Sequence, residues 1–393
     1  MLCRRGPSGA DSRRSRPQPA LATAADDLDE GREDPQAGAS HRSVQIASAL
    51  MALQPAEALR RVAYLLERER ADTYKVRAFR RAAATVDGTS VEQLEELALA
   101  RRLTELDGVG DTTARVITEG LAGETPPYLT ELESSTWLPE LSEEARTIRS
   151  LLRGDCHSHS EWSDGGSTIE EMAEAARGLG HDYLALTDHS PRLTVAHGLN
   201  KERLLSQLDI VAGLNENLAP FRILTGIEVD ILEDGSLDQE DALLDRLDVV
   251  VASVHSKLSM ESLKMTARMI RAIENPLCDV LGHCTGRKLV GTGRPPSKFD
   301  ADAVFSACAA TDTAVEINSR PERQDPPPEL LEQALGLGCV VTIDTDSHAP
   351  GQLEWLVLGC EQAAAAGLAG EPERIMNARP MEDFLAWTRS HRP

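Results

Sequence analysis

The sequence predicts an all-α segment followed by an α/β barrel with parallel strands. Three observations carry this expectation. Apolar residues recur at helical spacing over 55–120, seven short apolar runs alternate with helix-like stretches from 151 onward, and six of the ten histidines stand at the ends of such runs. Alternating strands and helices are the pattern of parallel βαβ units. Seven such units suggest a closed or nearly closed barrel, whose strand ends converge on one mouth.

The chain preceding these segments gives no such signal. Residues 1–50 are rich in Arg, Ser, Pro, Ala, Asp and Gly without apolar periodicity, and they are expected to form a disordered tail. Met51 directly precedes the first patterned helix and is an alternative start of translation. The N-terminal arginines are followed by no apolar stretch, so no secretory signal is expected. No membrane segment is expected either, since no run of about 18 apolar residues occurs.

Residues 51–125 read as a small helical domain. Leu59, Val62, Ala63 and Leu66 form one apolar stripe, and Val76, Phe79, Ala83 and Val86 a second. Arg77, Arg80 and Arg81 share another face of that second helix, with Lys75 nearby. A third helix is expected over 91–100. The turn Leu106-Asp107-Gly108-Val109-Gly110 leads into a fourth, over 112–121. Residues 126–150 read as an acidic linker with a helix near its end.

The barrel is expected over 151–390. Its strands are placed at 151–156, 183–186, 223–224, 249–251, 280–281, 314–317 and 340–343. The first ends in Asp155-Cys156-His157-Ser158-His159. Strict alternation would put Asp155, His157 and His159 on one face and Cys156 in the core on the other. Later strands run into His189, Glu228, His255, His283 and the pair Asp346 and His348, and Asp164 lies in the loop after the first strand. Six imidazoles and several carboxylates at one mouth would repel or desolvate one another without a cation. Neutral imidazole and carboxylate are natural ligands of divalent metals. These candidates exceed one ion's coordination, so two to three divalent ions are implied.

The strings GDCHSHSEWSDGG, LALTDHS, LTGIEVDI, VASVHS, LGHCTGR, VEINS and DTDSH resemble, in order, the motifs of the PHP (polymerase and histidinol phosphatase) superfamily. The resemblance covers about half the chain. It implies a distorted (β/α)7 barrel with a trinuclear centre of manganese, zinc or iron. It also implies nine ligands: His157, His159, Asp164, His189, Glu228, His255, His283, Asp346 and His348. The implied reaction is metal-assisted hydrolysis of P–O bonds, with Glu228 bridging metals and Asp346 or His348 moving protons. Arg287 and Lys257, close behind two ligand positions, are candidates for gripping phosphate.

The helical segment resembles the N-terminal domain of family X DNA polymerases through TYKVRAFRRAAATV and LTELDGVGDTTARVITEGL. Gly108-Val109-Gly110 matches the helix-hairpin-helix turn, which offers backbone amides to a DNA phosphate. Lys75, Arg77, Arg80 and Arg81 would supply the counter-charge, with Gly108 and Gly110 at the contact. Bacterial family X polymerases carry a PHP domain at their C-terminus, and this chain resembles one without the polymerase palm. Two departures limit the parallel. Ala114-Arg115-Val116-Ile117 holds no lysine for lyase chemistry, and residues 55–120 carry 11 Lys and Arg against 12 Asp and Glu, a net charge of −1.

Composition bounds the partners. The formal net charge is −23, so DNA binding must rest on a local basic patch and is expected to be weak and non-specific. Aromatics at 3% argue against a base-stacking platform. Seven cysteines without a CxxC pair suit reduced thiols in the cytoplasm. The leading expectation is a metal-dependent phosphoesterase acting on DNA ends or nucleotides. A small-molecule phosphomonoesterase of the histidinol-phosphatase type and a non-enzymatic DNA-binding protein are the rivals.

Overall fold

The structure, a computed structural model, describes residues 53–392. The expected tail over 1–50 lies outside the described residues. Six helices come first: α1 (Pro55–Arg68), α2 (Thr73–Asp87), α3 (Val91–Leu99), α4 (Asp111–Leu121), α5 (Pro127–Glu133) and α6 (Glu143–Leu151). The two apolar stripes read from sequence are buried, from Leu59 and Val62 at 0% exposure to Val76 at 8%. Asp72 and Ser90 cap α2 and α3, each accepting a hydrogen bond from a first-turn amide. The stretch expected as a linker folds into α5 and α6. Leu129 and Leu132 of α5 complete the helical core, whereas Ala145 and Ile148 of α6 pack with the barrel residues Ile317 and Ile343.

The barrel strands are β1 (Gly154–Ser158), β2 (Tyr183–Leu186), β3 (Arg222–Asp230), β4 (Val249–Ser253), β5 (Val280–Leu281), β6 (Ala314–Asn318) and β7 (Val341–Asp344). They form one sheet in sequential order, every neighbouring pair parallel. Residues 151–153 are not strand: α6 ends at Leu151, and pairing begins at Gly154. β3 is longer than its short apolar core suggested and carries Glu228 within the sheet.

Helices α7 (Ile169–Gly178), α8 (Lys201–Leu218), α9 (Asp241–Leu244), α10 (Ser262–Ile273), α11 (Ala301–Thr311), α12 (Pro328–Gly336) and α13 (Leu356–Ala365) follow successive strands. Val250, Ala252, Leu281 and Val315 pack against them, with Met265, Met269 and Phe305 among their partners. Alternate residues Ala185, Leu224, Val249, Val251, Val280 and Ala314 form a second cluster with Phe384 and Trp387 of the last helix, α14 (Met381–Ser390). This second cluster fills the barrel floor.

Closure between β1 and β7 relies on side chains. Only a bridge between Ser158 and Ser347 continues the ladder there. Asn377 spans the seam, donating to the carbonyls of Gly154 and Ile343 and accepting from the Ile343 amide. Asp344 accepts from the Cys156 amide, and Asp155 from the Thr345 hydroxyl. The seam satisfies buried backbone groups that an open edge would leave unpaired.

The helical segment docks on the barrel rim just after β7. The turn Pro350–Trp355 packs on α1 so closely that a side chain at Gly351 would collide with the Tyr64 carbonyl. Trp355, 1% exposed, donates its indole N–H to the Arg68 carbonyl. Arg80 of α2 joins Glu67 at 2.7 Å to Glu171 of α7 at 2.9 Å, and Glu67 also accepts from the Gly351 amide. Among the described residues no helix is long and apolar enough to cross a membrane.

Candidate metal centre

The strand ends bring together all nine residues that the sequence singled out as ligands. Glu228, inside β3 and 1% exposed, lies at the centre. Five imidazoles stand within 4 Å of its carboxylate: His283 and His189 at 2.8 Å, His255 at 3.2 Å, His157 at 3.3 Å and His159 at 3.6 Å. His348 instead faces Asp164 at 3.3 Å and Asp346 at 3.6 Å. Four overlapping groups, each with its ligand atoms within 4.8 Å of one another, draw on the nine residues.

Local backbone explains how β1 contributes. Between Asp155 and Ser158 its register shifts against β2, with one extra residue on β1. Strict alternation therefore fails here. Cys156 packs in the floor cluster with Ala185 and Val251, while His157 reaches Glu228 directly above. Asp155 turns to Thr345 and the His157 amide and does not join the ligand groups. A bulge that re-aims a side chain beside a functional site is a recurrent device. Asp346 holds φ of 51°, a left-handed conformation uncommon for a non-glycine residue. Arg323 at 3.0 Å and Arg320 at 3.5 Å grip its carboxylate.

The donor set fits divalent cations. His157 Nε2, both ring nitrogens of His159 and of His255, His189 Nδ1, His283 Nδ1 and Glu228 Oε2 are buried without a hydrogen-bond partner. His189 Nδ1 lies 2.8 Å from Glu228 Oε2 yet lacks hydrogen-bond geometry, so neither atom satisfies the other. Buried polar atoms normally find partners. An ion at these points would satisfy several of them at once. Glu316 on β6, a residue sequence reasoning passed over, holds His157 Nδ1 at 2.5 Å and receives the His283 amide. Fixing one ring nitrogen leaves the other free for a metal. The i, i+2 pair of polar residues Glu316 and Asn318 in an apolar strand was the available signal.

Electrostatics express the same crowding. Burial pushes the Glu228 carboxyl up, but His255, His157 and His189 outweigh it and hold it well below the usual carboxylate range. Burial, then the like-charged neighbours His348 and His189, hold His159 well below the usual histidine range. Burial opposes a charge on His157, yet Glu316, Glu228 and Asp346 raise it well above.

The mouth above it is a cavity of about 450 Å³ that includes Asp164, His189, His255, Asp346 and His348. Its rim carries Lys288, Arg294, Arg320 and Arg323. Burial, then the guanidinium groups of Arg323, Arg294 and Arg320, hold Lys288 below the ordinary lysine range. Arg320 and Arg323 are paired with Asp346, whereas Lys288 and Arg294 form no ion pair among the described residues. The two expected phosphate-grip residues are placed elsewhere. Arg287 donates to the carbonyls of Arg323 and Gln324 and lines a separate cavity, and Lys257 is exposed outside the mouth. Position in sequence after a ligand did not fix direction, because the strand-end loops turn sharply.

The helical segment presents the expected turn. Gly108 adopts φ of +73°, Val109 is buried, and Gly110 precedes α4 with open space about it. The four cations do not share one face, however. Arg80 is committed to Glu67 and Glu171, and Arg81 to Asp107 at 2.6 Å beside the turn. Lys75 lies over the Tyr128 ring at 5.1 Å. Arg77 lines a cleft against the barrel with Asp164, Arg320 and His348.

Comparison with known proteins agrees with both parts. A helix-hairpin-helix domain model matches residues 53–126, and a PHP domain model matches residues 155–319. A DNA polymerase/3'-5' exonuclease PolX of Bacillus subtilis is 40% identical over 236 residues, 60% of this chain and 41% of that protein. The chain thus spans less than half the length of that relative. A probable phosphatase of Syntrophotalea carbinolica is 30% identical over 245 residues, 59% of this chain and 95% of that protein. A crystal structure of histidinol phosphate phosphatase from Lactococcus lactis, complexed with zinc, L-histidinol and phosphate, has a TM-score of 0.40 at 19% identity. It covers 56% of this chain and 94% of its own.

Proposed function

Because the chain belongs to the PHP family and is a hydrolase of phosphoric esters, we propose that it cleaves P–O bonds at DNA ends or in nucleotides. The observation that carries the chemistry is the convergence of buried, unpartnered imidazole nitrogens on Glu228 beneath a cationic rim. The helix-hairpin-helix match carries the choice of nucleic acid.

His157, His159, Asp164, His189, Glu228, His255, His283, Asp346 and His348 would hold two to three divalent ions. Such ions, when bound, supply positive charge to phosphoryl oxygens and acidify water at neutral pH. The chain's own groups do the rest. Lys288, Arg294, Arg320 and Arg323 bind and orient the phosphoryl group, which offers charge-assisted acceptors. Glu316 fixes the His157 ring. His348 is the most exposed of the six histidines, at 18%, with its Nδ1 2.9 Å from the Asp346 carbonyl. This placement suits it, with Asp346, to carry a proton toward the leaving oxygen.

A single assay tests the reading. Purified protein with manganese is given an end-labelled oligonucleotide and, separately, a panel of phosphomonoesters. Shortening of the oligonucleotide is expected. Turnover confined to the monoesters would replace this reading with that of a small-molecule phosphatase, which the near-complete coverage of the Syntrophotalea protein favours.

A further inference from the structure

A phosphomonoester needs one anion site, and the cationic rim of the mouth already offers it. A second space adjoins that mouth. Beside the mouth lies a cleft of about 250 Å³ between α2 and the barrel, lined by Thr73 and Arg77 from the helical segment. It shares Asp164, Arg320 and His348 with the mouth, so the two spaces adjoin. Arg70 marks the seam, bonded to Glu322 at 2.9 Å, and Glu322 in turn lies 3.4 Å from Arg320. Glu67 borders the cleft too, but Arg80 neutralises it. Arg77 is exposed and forms no ion pair among the described residues. In a chain of net charge −23, an unpaired guanidinium facing a cleft beside the metal centre is placed for an anion.

We propose that this cleft is a second phosphate subsite, in which Arg77 and Arg320 hold the phosphate next along a nucleic-acid strand whose terminal phosphoester lies in the mouth. The helical segment is then a wall of the active site as well as a tether. This inference rests on the proposed action at nucleic-acid ends and adds which residues measure the strand. Guanidinium groups suit the role because they pair with phosphate through two parallel N–H donors.

The test is isothermal titration of the manganese-loaded full chain with two hydrolysis-resistant thiophosphate ligands. One is thymidine monophosphate, with a single phosphate, and the other is the dinucleotide pTpT, with two. The wild type is expected to bind the dinucleotide about tenfold more tightly, equivalent to ~1.4 kcal/mol. Arg77→Glu should abolish that ratio and Arg77→Lys should keep part of it, with melting curves confirming that both variants fold. Equal affinities in the wild type, or a preference that survives Arg77→Glu, would overturn the subsite. Oligonucleotide cleavage is followed alongside. A preference that depends on Arg77 without strand cleavage removes the proposed function and keeps the subsite. Cleavage without the preference does the reverse.

Discussion

Glu228 and Glu316 divide the work of the centre between them. Glu228 faces five imidazoles directly, whereas Glu316 acts from behind through His157 Nδ1 and the His283 amide. Loss of such an outer partner typically weakens metal affinity about 10–100-fold. Glu316→Gln should therefore lower metal affinity in a chelator competition by a factor in that range, with the fold intact. His157→Ala with His159→Ala should go further, removing bound metal in elemental analysis and abolishing hydrolysis. Away from the centre, His181 is 4% exposed, and burial, then Arg149, lowers it from 6.5 to about 3. The native state resists a proton that the unfolded chain accepts, so the stabilisation is present above pH 6.5 and is lost as pH falls toward 3. The slope from this one group is at most ~1.4 kcal/mol per pH unit. Denaturant unfolding followed through that window should give a flatter profile for His181→Asn, and an identical slope would refute the assignment. The candidate ligands other than Asp164 were legible because each lies in or just after an apolar run. Glu316, Arg320 and Arg323 were not, since a polar residue near a strand end has no sequence mark that tells support from surface.

Helices α1 and α2 were readable from their apolar stripes, and the seven strands from their recurrence. The register shift in β1 was not, because an inserted residue leaves the composition of a strand unchanged and redirects only the side chains beyond the insertion. Nor was the docking of the helical segment, which depends on pairs far apart in sequence. Arg80, Glu67 and Glu171 come from three helices, and the Gly351 backbone completes the set. Burial pushes the Glu67 carboxyl up, so its ionised form depends on Arg80 and the Gly351 amide. Removing one partner of a buried pair strands the other, at a cost of about 3–5 kcal/mol. Arg80 keeps some exposure, which places Arg80→Ala near the lower end, roughly 3 kcal/mol. Urea denaturation should register that loss. A change below about half a kilocalorie, the range of an ordinary surface substitution, would show that the helical segment does not rely on this contact. Arg80 is consequently a poor probe of DNA binding, because its reversal perturbs the docking first.

For the molecule as a whole, charge sets the limit on any polyanionic partner. The net charge of −23 opposes approach of DNA at long range, and attraction must come from the short arc that runs from the helix-hairpin-helix turn to the barrel mouth. That arc is smaller than four neighbouring cations in the sequence suggested, since Arg80 and Arg81 are each held by a carboxylate. Lys75 and Arg77 remain on the helical side, because the Gly110 amide donates to the Thr113 hydroxyl at 2.9 Å. Contacts to a few phosphates imply a shallow salt dependence, each neutralised phosphate adding roughly 0.9 to the slope of log K against log salt for duplex DNA. A slope near two to three is expected from so few contacts, with an affinity on the order of micromolar or weaker at physiological salt. Backbone contacts carry no base information, so duplexes of different sequence should bind alike. Fluorescence anisotropy over a salt series measures both quantities. Lys75→Glu with Arg77→Glu should lower the slope by about two, because each change removes one phosphate contact. A slope unaltered by the double reversal would mean that DNA does not cross this arc. The helical segment would then serve the barrel only as a wall, and the substrate would be a small phosphoester.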